Sequence, residues 1–192
     1  MLACASLTHL VHTMLTFDIE TTGLDGFKDS VTCVCLFNSD TNTQHSYVFD
    51  HPPQSEDSLR KQAEVTLMLD SATQLCGFNS VRFDLAFLSK AWVISPGHLA
   101  EWVVKVVDVF EACKQALDTT FPLNALLAAN GLETKTGSGL EAVRLAKEGK
   151  WTDLADYCMI DVLLTHQVTS LPLVNLPKTH IKWSMERGFF IQ

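Results

Sequence analysis

The stretch TFDIETTG, residues 16–23, decides how the rest of the chain is interpreted. It has the apolar character of a buried β-strand but carries two carboxylates, Asp18 and Glu20, two positions apart. Side chains at positions i and i+2 of a strand point to the same face of a sheet, so the two acids project together. Either the strand lies at a sheet edge with its acids in water, or the pair holds a divalent cation, which requires oxygen ligands on a rigid element.

The composition is that of an ordinary globular protein. The chain has 192 residues, 47% hydrophobic and 19% charged, and we expect one domain over residues 1–192. The formal net charge of −8 argues against a broad basic surface that binds nucleic acid by neutralising phosphates. It does not exclude a nucleic-acid enzyme whose positive charge is supplied by bound metal.

Cellular location is also constrained by the sequence. No apolar run approaches the roughly 20 residues that span a bilayer, and the N-terminal segment lacks the basic region of a signal peptide. We therefore expect an intracellular protein, in the cytoplasm or nucleus, that is neither secreted nor associated with a membrane. The six cysteines form neither a CxxC pair nor a zinc-binding spacing, which predicts reduced and mostly buried thiols.

Hydrophobic periodicity predicts a meander of three strands followed by strands that alternate with helices. This order is typical of an α/β fold in which helices flank a mixed β-sheet. The core is expected over about residues 14–170, and the sequence indicates no structure for the C-terminal extension, residues 171–192. The predicted strands are residues 10–21, 30–40, 43–50, 73–79 and 102–110, and the predicted helices are residues 58–71, 81–92, 122–132, 140–150 and 151–171.

A third acid lies in the stretch GFNSVRFDLAFL, residues 77–88. Asp84 falls in the first turn of a predicted helix that directly follows a strand. An acid at this position commonly does no more than complement the helix dipole. Its apolar neighbours make a buried functional role the alternative.

The fourth acid lies in YCMIDVLLTH, residues 157–166, within the last predicted helix. Tyr157 and Asp161 are four residues apart and therefore share one helix face, together with Leu154 and Leu164. This apolar face is expected to point inward, where a carboxylate without a partner is costly. The pair can be a tyrosine–aspartate hydrogen bond in the core or part of a functional site.

The three motifs together resemble the DEDD superfamily of 3′→5′ exonucleases, and within it the DEDDy branch. The forms FDIE, GFNSVRFD and YCMID are similar to the proofreading exonuclease domain of family B DNA polymerases, and residues 139–165 resemble stand-alone predicted ribonuclease-H-like exonucleases. DEDDh relatives place a histidine five residues before the last aspartate, where this chain has Asp156, whereas Tyr157 lies four residues before it. His166 is expected to be a surface or packing residue.

The resemblance implies a ribonuclease-H-like fold and hydrolysis of phosphodiester bonds by a two-metal-ion mechanism. Two divalent ions relieve the charge that builds on the phosphoryl and leaving oxygens and generate a nucleophile near neutral pH. Mg²⁺ is the expected ion, with Mn²⁺ a plausible substitute, because both favour carboxylate oxygens. Tyr157 would orient the attacking water. The expected metal ligands are Asp18, Glu20, Asp84 and Asp161.

The resemblance also implies substrate contacts at the end of the first strand. Leu24 matches an apolar residue that packs against the terminal base, and Asn79 matches an asparagine that positions the terminal nucleotides. Backbone groups of Thr21, Thr22 and Gly23 would meet the end of the substrate strand.

Four further residues are candidates for a role at the site. Phe83 can stack on a base or belong to the core. Lys135 and Arg144 are candidate phosphate contacts. Asp108, at a predicted strand end, is interpreted as a helix cap or a residue that supports the site.

The resulting hypothesis is a metal-dependent 3′→5′ exonuclease that acts on a single-stranded 3′ end of DNA or RNA and releases nucleoside 5′-monophosphates. One alternative is a non-catalytic nucleic-acid-binding or adaptor module, which retention of all five site residues disfavours. Another is a ribonuclease-H-like endonuclease, against which the YxxxD motif argues. Discrimination between DNA and RNA depends on how the pocket meets the 2′-hydroxyl, so the sequence leaves it open. Any processivity would come from a protein partner.

Overall fold

The computed structural model describes residues 13–135, 139–184 and 189–191. Within these residues the chain forms eight strands and seven helices, and no described helix is both long and apolar enough to cross a bilayer. The strands are β1 (Met14–Thr21), β2 (Val31–Asn38), β3 (Thr43–Val48), β4 (Gln74–Gly77), β5 (Val106–Asp108), β6 (Leu173–Asn175), β7 (Lys182–Ser184) and β8 (Phe189–Ile191). The helices are α1 (Glu56–Ser71), α2 (Asp84–Ala91), α3 (Pro96–Val103), α4 (Val109–Leu117), α5 (Leu123–Ala129), α6 (Gly139–Lys147) and α7 (Trp151–Thr169).

The main sheet has five strands in the order β3-β2-β1-β4-β5. β2 pairs antiparallel with both β1 and β3, whereas β4 pairs parallel with both β1 and β5. The predicted mixed sheet, a meander followed by parallel strands, is therefore confirmed. Because β1 is the central strand, the interpretation of residues 16–23 as an exposed edge strand is wrong.

Alternation along β1 divides its side chains between two layers. Phe17 and Ile19 are buried in a core formed with α1, α2 and α3 on one face of the sheet. Asp18 and Glu20 therefore point to the opposite face. Helix α7 covers that face, and the Cys158 thiol of α7 lies 3.8 Å from the Asp18 carboxylate. The pattern of β1 thus directs both acids toward the last long helix.

The predicted strand over residues 102–110 is wrong for most of its length. Trp102 lies in α3 and is fully buried, and only three residues form β5. α4 begins immediately afterwards, because the Asp108 side chain accepts a hydrogen bond from the Glu111 backbone N–H and caps the helix. The run of β-branched valines has strand propensity, but helix caps at Ser95 and Asp108 divide it into two helices with a short strand between them.

The five predicted helices are confirmed, with ends that shift by a few residues. α1 begins two residues before residue 58 because the Ser55 hydroxyl accepts a hydrogen bond from the Ser58 N–H. α2 begins at Asp84 rather than at residue 81. The first three residues of the predicted strand 10–21 lie outside the described residues.

The C-terminal extension, for which the sequence indicated no structure, contains a second sheet. β6, β7 and β8 pair antiparallel in that order. Val174 of β6 and Trp183 of β7 enter a core with α4, α5 and α7 that includes Leu126 and Val168. This segment therefore packs against the end of α7 that lies beyond Asp161.

Candidate active site

Three carboxylates from distant parts of the chain meet on the α7 side of the sheet. Asp18 and Glu20 lie on β1 and Asp161 lies on α7. One carboxylate oxygen from each lies within 4.8 Å of the other two. β1 contributes two acids because its side chains alternate, and α7 contributes the third because Asp161 lies on its buried face. The structure thus brings together three of the four acids expected to bind metal.

Asp84, the fourth acid, lies beneath this group. It is the first residue of α2 and is only 2% exposed. Its Oδ1 accepts a hydrogen bond, at 3.0 Å, from the backbone N–H of Ile19, the β1 residue between Asp18 and Glu20. This bond fixes Asp84 against β1. It does not belong to the group whose oxygens all lie within 4.8 Å. Its position is nevertheless close enough that its charge raises the pKa of Asp18.

The site is electrostatically unfavourable without a cation. Burial raises the pKa of Asp18 well above its ordinary value, and the charges of the neighbouring acids raise it further. Burial raises the pKa of Glu20 to about 8 and that of Asp84 to about 7, and it also raises the pKa of Asp161. Buried acids that repel one another are stabilised by a positive charge placed among them.

Lys135 supplies such a charge from the loop before α6. Its Nζ lies 2.6 Å from Asp161 Oδ2 and 5.6 Å from the centroid of the Tyr157 ring. Asp161 Oδ1, by contrast, is buried and has no hydrogen-bond partner among the described residues. One lysine balances the charge of only one of these four carboxylates. The free oxygen and this set of hard carboxylate donors fit divalent metal ions.

Tyr157 lies one helical turn before Asp161, and its hydroxyl is buried with no hydrogen-bond partner among the described residues. The tyrosine–aspartate hydrogen bond considered from the sequence is therefore not formed. Burial raises the pKa of the hydroxyl above its ordinary value, so it is neutral near pH 7. A neutral, unpaired hydroxyl beside the carboxylates can orient a water molecule but is a poor proton acceptor.

A cavity of 270 Å³ lies beside the carboxylates. Asn124 fixes the Lys135 backbone at the wall of this cavity. The Asn124 side chain accepts a hydrogen bond from the Lys135 N–H and donates one to the Lys135 carbonyl, both at 3.0 Å. Sequence reasoning missed Asn124, since no local pattern connects it to a loop 11 residues away. The lining residues are Asp18, Phe78, Pro122, Leu123, Asn124, Lys135, Asp161 and Thr165.

A sequence model of the RNase_H superfamily matches residues 15–171. The chain belongs to the RNase_H superfamily. The match confirms the predicted ribonuclease-H-like fold and includes all of the acids described above. This superfamily is of the nuclease type, and its members use divalent metals. No curated protein sequence matches the chain significantly.

Two solved structures show the fold of this RNase_H superfamily protein. A family B DNA polymerase from the hyperthermophilic archaeon Pyrobaculum calidifontis superimposes with a TM-score of 0.60 and 16% identity, covering 80% of this chain and 23% of the polymerase chain. The structure described as the apo form of a nuclease superimposes with a TM-score of 0.51 and 18% identity, covering 80% of this chain and 68% of the nuclease chain. At these identities the likeness establishes the fold alone.

The residues expected to contact the terminal base lie on the loop after β1. Leu24 is 86% exposed, so its apolar side chain is available to a ligand. The loop beside it is ordered by backbone-directed bonds: the Thr21 hydroxyl donates to the Gly23 carbonyl at 2.6 Å, and the Thr22 N–H donates to the Ser30 carbonyl at 2.9 Å. An exposed leucine on an anchored loop is compatible with the expected base contact.

The strand-to-helix junction that carries Asn79 is held by Asp108. Asn79 has a positive φ of 61°, and its backbone N–H donates to Asp108 Oδ1 at 3.0 Å. Asp108 also accepts from the Val81 N–H. Of its two expected roles, that of a helix cap is confirmed, because its side chain accepts from the Glu111 N–H at the start of α4. The Phe83 ring lies 5.9 Å from that of Phe87 and packs against the core of the α1 face, which favours the packing interpretation.

Two other sequence interpretations are resolved by their contacts. Arg144 on α6 is paired with Glu141 and Glu148 at 2.6 Å, so its charge is already neutralised at the surface. This arrangement does not support a phosphate contact. His166 packs edge-on against Phe37 at 4.8 Å between ring centroids, as expected for a packing residue.

Proposed function

We propose that this protein is a metal-dependent 3′→5′ exonuclease that hydrolyses phosphodiester bonds from the 3′ end of DNA or RNA and releases nucleoside 5′-monophosphates. The observation that carries the proposal is the meeting of Asp18, Glu20 and Asp161 beside the buried, unpaired hydroxyl of Tyr157. Carboxylates held this close are costly unless cations bind them. Membership of the RNase_H superfamily supports a nuclease.

Asp18, Glu20, Asp84 and Asp161 are assigned to hold two divalent ions, Mg²⁺ in the first place and Mn²⁺ as a substitute. Such ions supply a nucleophile near neutral pH and neutralise the charge that develops on the leaving oxygen. The protein supplies the rigid positions of these ligands: Asp18 and Glu20 on the central strand, and Asp161 on a helix packed across it.

Two other side chains act on the reacting groups. Tyr157 donates or accepts a hydrogen bond that orients the attacking water, since its neutral hydroxyl has no competing protein partner among the described residues. Lys135 presents its ammonium group to the cavity beside Asp161 and binds a substrate phosphate there. Asn124 keeps Lys135 at that wall through its two backbone hydrogen bonds.

End specificity is assigned to the loop after β1 and to the junction before α2. Leu24 packs against the terminal base, Asn79 positions the last nucleotides, and the backbone of residues 21–23 meets the strand end. The exposure of Leu24 and the fixed backbone of Asn79 support these roles. A partner protein that holds the nucleic acid would supply processivity.

The test uses single strands labelled at the 5′ end, in DNA and RNA forms, together with a closed circular strand. With Mg²⁺, the linear strands should shorten as a ladder from the 3′ side with release of nucleoside 5′-monophosphates, and the circle should survive. Asp18→Asn should nearly abolish hydrolysis without unfolding the protein. The matched control is Asp118→Asn, at a surface position whose left-handed backbone suits asparagine.

The outcomes separate the three functions considered. Rapid cutting of the circle would establish an endonuclease instead. Binding of the strand without any hydrolysis would establish an adaptor module. Equal turnover by Asp18→Asn and Asp118→Asn would overturn the assignment of the metal ligands.

A further inference from the structure

A cluster of three thiols lies next to the carboxylates. Cys33 and Cys35 lie on β2 and Cys158 lies on α7, and their sulfur atoms all lie within 4.8 Å of one another. All three residues are fully buried, and none forms a disulfide. The prediction of reduced, buried thiols is thus confirmed for the five cysteines in the described residues, and Cys4 lies outside them.

The thiols and the carboxylates are neighbours by strand register. On the antiparallel pair β1 and β2, Cys35 lies directly opposite Asp18, and Cys33 lies directly opposite Glu20. Directly opposed residues point to the same face of a sheet. Cys158 lies above them on α7, so a group of soft sulfur ligands adjoins the group of hard oxygen ligands beneath one helix.

Cys158 connects the two groups. Its Sγ lies 3.5 Å from the Asp18 carbonyl oxygen and 3.8 Å from Asp18 Oδ2. Asp18 is itself half-buried and lines the 270 Å³ cavity. The cavity therefore reaches Asp18, whose carboxylate adjoins the Cys158 sulfur.

The sulfur separations suit a thiol-bound cation. A zinc–sulfur bond of about 2.3 Å places the sulfur atoms of a tetrahedral site roughly 3.8 Å apart. The observed distance between the Cys33 and Cys35 sulfur atoms is 3.7 Å. Thiolates select soft or borderline ions such as Zn²⁺ and Cd²⁺, whereas carboxylates select Mg²⁺. Three sulfur ligands leave the fourth position of a tetrahedral site open. Asp18 Oδ2 is the oxygen beside the Cys158 sulfur.

We propose that Cys33, Cys35 and Cys158 form a binding site for a thiol-seeking divalent cation, with Asp18 as the fourth ligand, and that its occupation inhibits the nuclease. Binding converts three thiols to thiolates and releases three protons, with no change of oxidation state. Inhibition follows because Asp18 turns from the carboxylate group toward the sulfur atoms. The inhibitory part of this inference rests on the proposed function, whereas the binding part does not.

The experiment uses the full chain, reduced and freed of metal, with Cd²⁺ as the probe. One equivalent should produce the ultraviolet sulfur-to-cadmium charge-transfer absorption and raise the unfolding temperature in the presence of excess Mg²⁺. Cys35→Ala should weaken Cd²⁺ binding by at least about 100-fold, since loss of even a supporting residue around a metal site typically costs 10- to 100-fold. Cys113→Ala removes a buried thiol outside the cluster and is the matched control.

Activity is measured separately at a fixed excess of Mg²⁺. Cd²⁺ and Zn²⁺ should inhibit the parent and Cys113→Ala at the concentrations that produce the absorption, and Cys35→Ala should resist. If Cys35→Ala does not fold, Cys33→Ser replaces it with the same expectations. A parent that shows no absorption at one equivalent, or equal Cd²⁺ affinity in the cluster variant and Cys113→Ala, would overturn the site. Absorption without inhibition of an active enzyme would overturn the role of Asp18 alone.

Absence of nuclease activity under every condition would defeat the proposed function and leave the absorption and unfolding measurements as the test of the site. Asp18→Asn supplies a further distinction, because it retains all three sulfur ligands. It should keep the charge-transfer absorption while weakening Cd²⁺ binding. Unchanged Cd²⁺ affinity in Asp18→Asn would overturn its assignment as the fourth ligand.

Discussion

Replacement of Tyr157 by phenylalanine removes one oxygen atom and keeps the ring. The hydroxyl is buried without a hydrogen-bond partner among the described residues, and a buried polar group left unpaired costs about 1–3 kcal/mol. The ring packs against the core formed by α6, α7 and β2. We therefore expect the free energy of unfolding of the metal-free protein to be unchanged or higher, by about 1 kcal/mol.

The effect on activity should have the opposite direction. A group that positions a water or transfers a proton typically contributes about 10²- to 10⁴-fold to the rate, which corresponds to roughly 2.7–5.4 kcal/mol in the activation free energy. The loss should appear in kcat, with KM and Mg²⁺ affinity little changed, because Tyr157 is assigned neither to the substrate base nor to the metal. Asp18→Asn should be the more severe change.

Steady-state hydrolysis and thermal unfolding are measured on the same preparations. Tyr47→Phe is the matched control, since Tyr47 is the other tyrosine of the chain and its hydroxyl contacts Met68 Sδ at 3.6 Å, on the α1 side of the sheet. It should cut at the parental rate. Parental turnover by Tyr157→Phe, combined with unfolding of Tyr157→Ala, would show that Tyr157 serves the core and that another group orients the water.

Two further predictions concern the charges of the site. Burial raises the pKa of Glu20 to about 8 and that of Asp84 to about 7, so the folded metal-free protein retains protons that the unfolded chain has released. Its unfolding temperature should therefore fall as the pH rises from about 5 to 8. Addition of Mg²⁺ should restore the unfolding temperature. A flat profile in thermal melts would contradict this. Lys135→Met leaves Asp161 without its ion pair, so the free energy of unfolding of the metal-free protein should fall by about 2 kcal/mol. Turnover should fall as well, whereas Mg²⁺ should bind more tightly in calorimetric titrations. Unchanged stability would count against the pairing of Lys135 with Asp161.

Local periodicity was sufficient for the parts of the fold that depend on near neighbours. Alternation on β1 predicted that Asp18 and Glu20 share a face, and the four-residue spacing on α7 predicted that Tyr157 and Asp161 point inward. These predictions hold because strand and helix geometry is set within a few residues. The same reasoning failed over residues 102–110, where the caps of α3 and α4 outweigh the strand propensity of the valines.

The sequence by itself determined the mixed α/β fold and identified the acids of the candidate site. Only the tertiary structure decided that Asp84 hydrogen-bonds beneath β1, that Lys135 pairs with Asp161, and that Cys158 joins the two thiols of β2. Lys135 and Asp161 are 26 positions apart in the sequence, and Cys158 is more than 100 positions from the β2 thiols. Local periodicity therefore cannot indicate either contact. They arise because strand register and the packing of α7 across the central strands place these side chains together.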